Sequence, residues 1–208
     1  MSTGSVLHAR VASRLARHAG LRIFRLFSRP LEAEPPRELA QGIQLRLFGE
    51  PDVLALCRDP ELDLRPDSVA AAYGRGDVCV GAFDSGVLAG YCWAAFAPLP
   101  HLDGVWVEFD RMTAWIYKSL VRNSHRGRGI APALYRFADG PCLERGRRRS
   151  VICVESHNYG SVRAALRAGY ASSGYGAYAL RGRRILRWSS PAAKRHAVSF
   201  FLPQASIT

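Results

Sequence analysis

Residues 121 to 134, Val-Arg-Asn-Ser-His-Arg-Gly-Arg-Gly-Ile-Ala-Pro-Ala-Leu, set a basic, glycine-punctuated stretch between an apolar strand-like run and a helix-like one. That order of elements suits a pyrophosphate. The N–H groups of a first helical turn have no intrahelical partner and carry the positive end of the helix dipole, so an anion there is held by main chain. Gly127 and Gly129 let the backbone approach phosphate oxygens with no Cβ between, Ile130 and Ala131 open the helix, and Arg126 and Arg128 add charge-assisted contacts.

The spelling excludes two common phosphate loops. A P-loop needs Gly-Lys-Ser/Thr, and no lysine lies here; a dinucleotide fingerprint needs a third glycine where Pro132 stands. Arg126-x-x-Gly129-x-Ala131 instead resembles the Arg/Gln-x-x-Gly-x-Gly/Ala pyrophosphate loop of the GNAT acyl-CoA N-acyltransferases. A second block, Asn158-Tyr-Gly-Ser161 through Ala165 to Gly169-Tyr170, matches that family's next element in order and about thirty residues on. The resemblance covers about residues 42 to 188.

The resemblance implies an α/β fold: a mixed sheet of about six to seven strands with a V-shaped splay, flanked by about four helices. It implies acetyl-CoA or another acyl-CoA as cofactor and direct attack of a primary amine on the thioester. Such a site needs a proton acceptor, an oxyanion donor and a proton for the leaving thiolate. By resemblance the oxyanion donor is main chain at Val121, with Leu120 beside it, where the splayed strand meets the pantetheine arm. Asn158 and Ser161 would contact that arm. The family's usual acid is a tyrosine seven residues after the asparagine, and here that position is Ala165. Three explanations stay open: Tyr117 or Tyr159 substitutes, the thiolate leaves unaided, or the protein binds acyl-CoA without turning it over. Glu155 is the expected base, with Glu108, Asp110 and His157 as alternatives; His125 reads as a loop residue near phosphate. A long-chain acyl-CoA or an acyl carrier protein is the alternative donor.

Composition bounds the rest. A chain of 208 residues, 48% hydrophobic, is long enough for one well-buried domain. No stretch approaches the ~18 consecutive apolar residues of a membrane span. Five scattered cysteines without Cys-x-x-Cys spacing argue against a metal site and read as reduced thiols in a cytoplasmic protein. Lys plus Arg number 29 against 17 acids, and only two of the 29 are lysine. Residues 120 to 150 hold eight arginines, an electropositive surface that would concentrate a polyanionic cofactor. Arg145-Gly-Arg-Arg-Arg149 lacks the aromatic interleaving of a nucleic-acid binder and reads as a solvated helix end.

Patterning supplies the elements. Gly42 to Phe48 alternates as a strand, and Pro51 and Pro66 stand where helices over Asp52–Cys57 and Asp67–Tyr73 begin. Asp77–Phe83 and Val87–Phe96 read as a hairpin; Trp106–Phe109, Ala114–Val121 and Ser150–Val154 are strands. Ile130–Ala138 is a helix that Gly140-Pro141 should break or kink, Ser161–Ala168 a helix ended by Gly169, and Gly176–Leu180 with Arg184–Trp188 a last hairpin. Arg75-Gly-Asp77 reads as the turn entering a strand. Trp93, Trp106 and Trp115 read as core, while leaving room for a bulky or aromatic acceptor.

Residues 1 to 36 read as a basic arm and linker, 37 to 190 as the acyltransferase domain, and 191 to 208 as a tail. In the arm six arginines, from Arg10 to Arg29, fall on one side of a helical wheel with Ile23, Phe24, Leu26 and Phe27 opposite. Contacts through residues 4 to 29 with the domain, a neighbouring subunit of a homodimer or an anionic membrane surface all stay open, as does a targeting peptide. The acceptor carries no motif; a small-molecule or lipid-linked amine suits a membrane-proximal arm.

Overall fold

The computed structural model describes residues 20–33, 42–182 and 184–203. Eleven strands appear among them: β1 (Leu21–Pro30), β2 (Ile43–Phe48), β3 (Val78–Asp84), β4 (Val87–Ala95), β5 (Leu99–Pro100), β6 (Trp106–Glu108), β7 (Thr113–Val121), β8 (Arg149–Glu155), β9 (Ala171–Arg181), β10 (Arg184–Ser189) and β11 (Ser199–Phe201). The helices are α1 (Glu50–Ala55), α2 (Pro66–Gly74), α3 (Ile130–Phe137), α4 (Asp139–Glu144), α5 (Tyr159–Arg167) and α6 (Pro191–Lys194). The main sheet is mixed and eight-stranded in the order β10-β9-β1-β8-β7-β4-β3-β2, and β11-β6-β5 form a small second sheet.

The main departure from expectation is β1. Residues 21–30, expected within an amphipathic helix, form a strand paired antiparallel with β8 on one side and β9 on the other, adding an eighth strand to the sheet. A strand buried on both faces does not alternate cleanly. Phe24 and Leu26 enter one core cluster and Phe27 the other. Of the arginines that mimicked a helix face, the three in β1 each find a partner: Arg22 with Asp103 and Glu155, Arg25 over the Phe27 and Tyr175 rings, and Arg29 with Asp139. Tertiary contacts override the local pattern. The remainder of the expected arm helix, residues 1–19, lies outside the described residues.

Nor do the boundaries at 36 and 190 separate packing units. β1 lies inside the sheet, α6 packs on β9, and β11 pairs with β6, burying Ala193 and Phe200. Among the described residues no helix is long and apolar enough to cross a membrane.

Elsewhere local chemistry sets the elements. Pro51 and Pro66 open α1 and α2, with acids in each first turn. Pro141 has no N–H for the carbonyl of Phe137 and its ring crowds that turn, so the helical run divides at Ala138, three residues before the proline. Strand alternation sorts the core. Val80, Ala82 and Ala94 face α3, α4 and α5, while Cys79, Phe83 and Trp93 face α1 and α2, and Trp115 with Phe200 closes the same side under the small sheet.

Candidate active site

Two parallel strands part at the centre of the sheet. β7 and β8 pair only from Thr113↔Arg149 to Ile116↔Ile152. Beyond that point β7 follows β4 and β8 follows β1, as the V-shaped splay requires. β7 also carries a bulge: Tyr117 faces Trp93 and Leu120 faces Tyr91, so Lys118 and Ser119 both stand opposite Cys92, and Lys118 takes φ +44. On the β4 side Gly90 is required, since a Cβ there would sit 2.7 Å from the Leu120 carbonyl oxygen. A cavity of about 650 Å³ opens at the splay, walled by Ile116–Ser119 of β7, Ile152–Glu155 of β8, Asn158 and Ser161, α2, and the 99–102 loop.

The basic loop lies at one end of β7. Gly127 and Gly129 take φ +84 and +76, and Gly129 caps α3. Such angles are reserved for glycine, and they bring successive amides to one side of the turn. Among the described residues the N–H groups of Gly127 to Ala131 find no protein acceptor, and Pro132 has no N–H to satisfy. The loop is clamped from outside its anion-binding side. Arg122 donates to Asp59 and, at 2.8 Å, to Glu61, and Glu61 also accepts from Asn123 N–H at 2.9 Å. Arg128 donates to Asp84 at 2.6 Å, with His125 3.5 Å from the same carboxylate. The Arg128 hydrogen bond is the chief cause that lowers the Asp84 carboxyl. Arg126 makes only a long 3.4 Å contact, to the Val121 carbonyl, and is exposed. It is the arginine whose fork is open to an anion.

On the other arm of the splay, beyond β8, Asn158 caps α5, accepting from Ser161 N–H at 3.1 Å. Glu155 ends β8 in an ion pair with Arg22 at 3.0 Å, and His157 lies 3.8 Å away. The Tyr135 hydroxyl reaches up from α3 to Ser119 Oγ at 2.7 Å; burial pushes that phenol up to about 12, against the lowering effect of Ser119. Tyr117 donates to Asp77 at 2.8 Å. His101 lines the cavity among the Phe24, Tyr178 and Phe200 rings, and burial lowers its pKa to about 4, so it is a neutral imidazole near pH 7.

A splayed parallel pair, a bulge at its fork and a helix N-terminus with unpartnered amides lie together at this site. The model of the acetyltransferase (GNAT) family matches residues 47–170. The chain belongs to the GNAT family. Solved structures of like fold include a GCN5-related N-acetyltransferase from Sphaerobacter thermophilus, 23% identical at TM-score 0.54, covering 86% of this chain and 56% of that one. A GNAT-family acetyltransferase from Colwellia psychrerythraea is 16% identical at TM-score 0.51, covering 86% and 61%. A GCN5-related N-acetyltransferase from Kribbella flavida is 15% identical at 0.52, covering 87% and 63%. This chain thus spans less than two thirds of the length of these relatives. No curated protein matches it.

Within this GNAT domain Glu155, Tyr117, Asn158 and Ser161 line one cavity, with Arg126 to Ala131 in the turn that follows the β7 end. Leu120 and Val121 do not line it; they are paired to Tyr91 and Gly90, and the wall is made by Lys118 and Ser119 instead. Nor do Glu108, Asp110, His125 and His157 line it. Asp110 is spent on structure, accepting from Met112 N–H, Thr113 and Arg149. Ala165 is fully buried in the same core cluster as Tyr135. Besides Tyr117, a phenol thus reaches the fork from α3, a helix on which sequence offered no reason to choose it. Sequence reasoning also missed Asp77, Arg22 and the Lys118–Ser119 bulge, since none of the three has a motif. Trp93 and Trp115 are both core and cavity wall.

Proposed function

We propose that this chain is an N-acetyltransferase that moves an acetyl or other short acyl group from CoA to a primary amine of a small molecule. The observation that carries the reading is the alignment of unpartnered amides and the open Arg126 fork with the β7/β8 fork. In this reading the amides of Gly127 to Ala131 and Arg126 hold the pyrophosphate, while Arg128, shared with Asp84, adds charge at the rim. Asn158 and Ser161 flank the pantetheine arm, which lies along β8. The bulged stretch from Lys118 through Leu120 to Val121 supplies main-chain N–H for the oxyanion. Tyr135, through Ser119, donates a proton to the leaving thiolate in place of the tyrosine that Ala165 replaces. Glu155, paired with Arg22 at 3.0 Å, draws the ammonium to the mouth.

Calorimetric titration with acetyl-CoA, CoA and a long-chain acyl-CoA tests it. Binding that favours acetyl-CoA, followed by thiol release with a primary amine, is the expected result. A long-chain preference would move the reading to lipid chemistry, and absence of binding to all three would refute it.

A further inference from the structure

A buried carboxylate beneath the cavity has no part in the steps above. Asp77 immediately precedes β3, and its side chain is fully shielded from solvent. Its Oδ2 accepts from the Tyr117 hydroxyl at 2.8 Å and from Arg75 Nη2 at 2.6 Å, while its Oδ1 has no partner among the described residues. Tyr117 and Arg75 line the cavity and Asp77 does not, so a phenol and a guanidinium stand between the carboxylate and the cavity.

Position gives the pair a use. Tyr117 follows Ile116, the last residue of β7 paired to β8, and precedes the bulge, so its ring stands where an amine must meet a thioester laid in the fork. Its proton is committed to Asp77, which leaves the phenol oxygen free to accept from the cavity apart from a long 3.4 Å contact with Arg75. The Glu155 carboxylate, by contrast, is already shared with Arg22.

We propose that Tyr117 takes a proton from the incoming ammonium while passing its own hydroxyl proton to Asp77, so that the pair is the proton acceptor of the acyl transfer. The inference rests on the acetyl-transfer reading above. One N–H bond of the ammonium breaks and one O–H bond forms on Asp77, with the phenol regenerated between them. The free amine then attacks the thioester carbonyl, Tyr135 through Ser119 gives the thiolate its proton as CoA leaves, the second nitrogen proton restores Tyr135, and Asp77 returns its proton through Tyr117 to solvent before the next turnover. Tyr117 is the catalytic residue, and Asp77 is the positioning residue behind it. Burial raises both groups, with Arg75 opposing the rise in each; Arg75 and Tyr117 are the charged and titratable groups that bear on Asp77. Asp77 is thus a stronger base than an exposed carboxylate, and Tyr117 stays protonated at rest.

The test uses the full chain with acetyl-CoA and a panel of probe amines, benzylamine, tyramine and tryptamine, scored by thiol release. D77N and Y117F should each lower kcat/KM about 100-fold near neutral pH, leave acetyl-CoA affinity unchanged, and abolish the acid limb of the wild-type pH profile. The deficit should close at alkaline pH, where the amine arrives already neutral. Wild-type activity and an unaltered acid limb in both variants overturn the inference while leaving the acetyl-transfer reading standing. Equal losses at all pH values overturn it as well, since a structural role alone predicts them. Should D77N fail to fold, as lost acetyl-CoA binding would report, Y117F decides, because it keeps the ring. Wild-type protein that binds acetyl-CoA and acylates none of the amines sinks both readings together.

Discussion

Arg29→Met asks whether β1 belongs to the folded domain. The Arg29 guanidinium donates to both oxygens of Asp139, at 2.5 and 2.7 Å, and to the Tyr135 carbonyl at 3.1 Å; both charged side chains are 3% exposed. Methionine fills similar volume and strands the carboxylate. Asp139 must then stay charged with only the Glu32 N–H, at 3.2 Å, as donor, or take a proton. Protonation sets the ceiling: near pH 7 it costs about 4 kcal/mol for a carboxyl of ordinary pKa, at about 1.4 kcal/mol per unit. That agrees with about 3–5 kcal/mol for breaking a buried pair. At roughly 2–4 °C per kcal/mol for a chain of this size, melting should fall by about 8–16 °C. The stranded Asp139 has its folded pKa raised above the unfolded value, so the variant recovers stability as pH falls. About 2–3 kcal/mol of the deficit should be regained near pH 5. R29M/D139L, apolar on both sides, should restore most of the loss. Thermal denaturation by circular dichroism at both pH values is the assay. A single variant that melts with the wild type, or a double variant no better than the single, would refute the argument that this pair pins β1 to α4.

The other expectations are briefer. Removing residues 1–19 should preserve fold and acetyl-CoA binding, whereas removing 1–30 should give insoluble chain, because it takes a strand paired on both sides out of the sheet. Arg126→Ala should weaken acetyl-CoA binding by about 1.5–3 kcal/mol by calorimetry, and an unchanged Kd would move the pyrophosphate elsewhere. Gly90→Val should cost roughly 1–3 kcal/mol by denaturant titration and weaken cofactor binding too, because its Cβ meets the Leu120 carbonyl oxygen at 2.7 Å. Asp59 is lowered chiefly by its hydrogen bond from Arg122, and Glu61 chiefly by that from Asn123 N–H. Their contribution is therefore present above the unfolded carboxylate range and is lost as pH falls through their lowered folded values. Amide exchange at Asn123 and along the loop should speed up below about pH 4, and R122M should show that faster exchange at neutral pH.

The legible parts of the sequence were those in which local chemistry decides. Gly127 and Gly129 marked a loop whose backbone must be free of Cβ, Pro51, Pro66 and Pro141 set helix starts and a break, and Asn158 and Gly169 bounded α5. Where distant partners decide, the reading failed. Leu21 to Pro30 carries arginines spaced as on a helix, and only Asp103, Glu155 and Asp139, from 81 to 133 residues away, make a strand of them. Asp77 failed for the same reason: Arg75-Gly-Asp77 is a turn, but the chemistry of its carboxylate depends on Tyr117, 40 residues on. The resemblance put the oxyanion donor at Val121 with Leu120 beside it, because a bulge leaves no local mark; the one extra residue that sets both Lys118 and Ser119 opposite Cys92 puts those two in the cavity wall.

The charge of the site reverses along its length. The chain carries a net +12, and the loop beyond β7 presents free amides and Arg126, which suits a polyanion arriving from solvent. The wall toward α2 and the end of β8 instead offers Asp63, Asp67 and Glu155. Of the cations on that wall, Arg75 is neutralised by Asp77 and Lys118 lies 3.8 Å from Asp63. An anionic acceptor would meet three carboxylates there, whereas an ammonium finds a carboxylate at the mouth and the Tyr117–Asp77 pair farther in. The two ends thus select opposite charges, and the thioester and the amine meet where the sign changes, at the bulge between Tyr117 and Leu120.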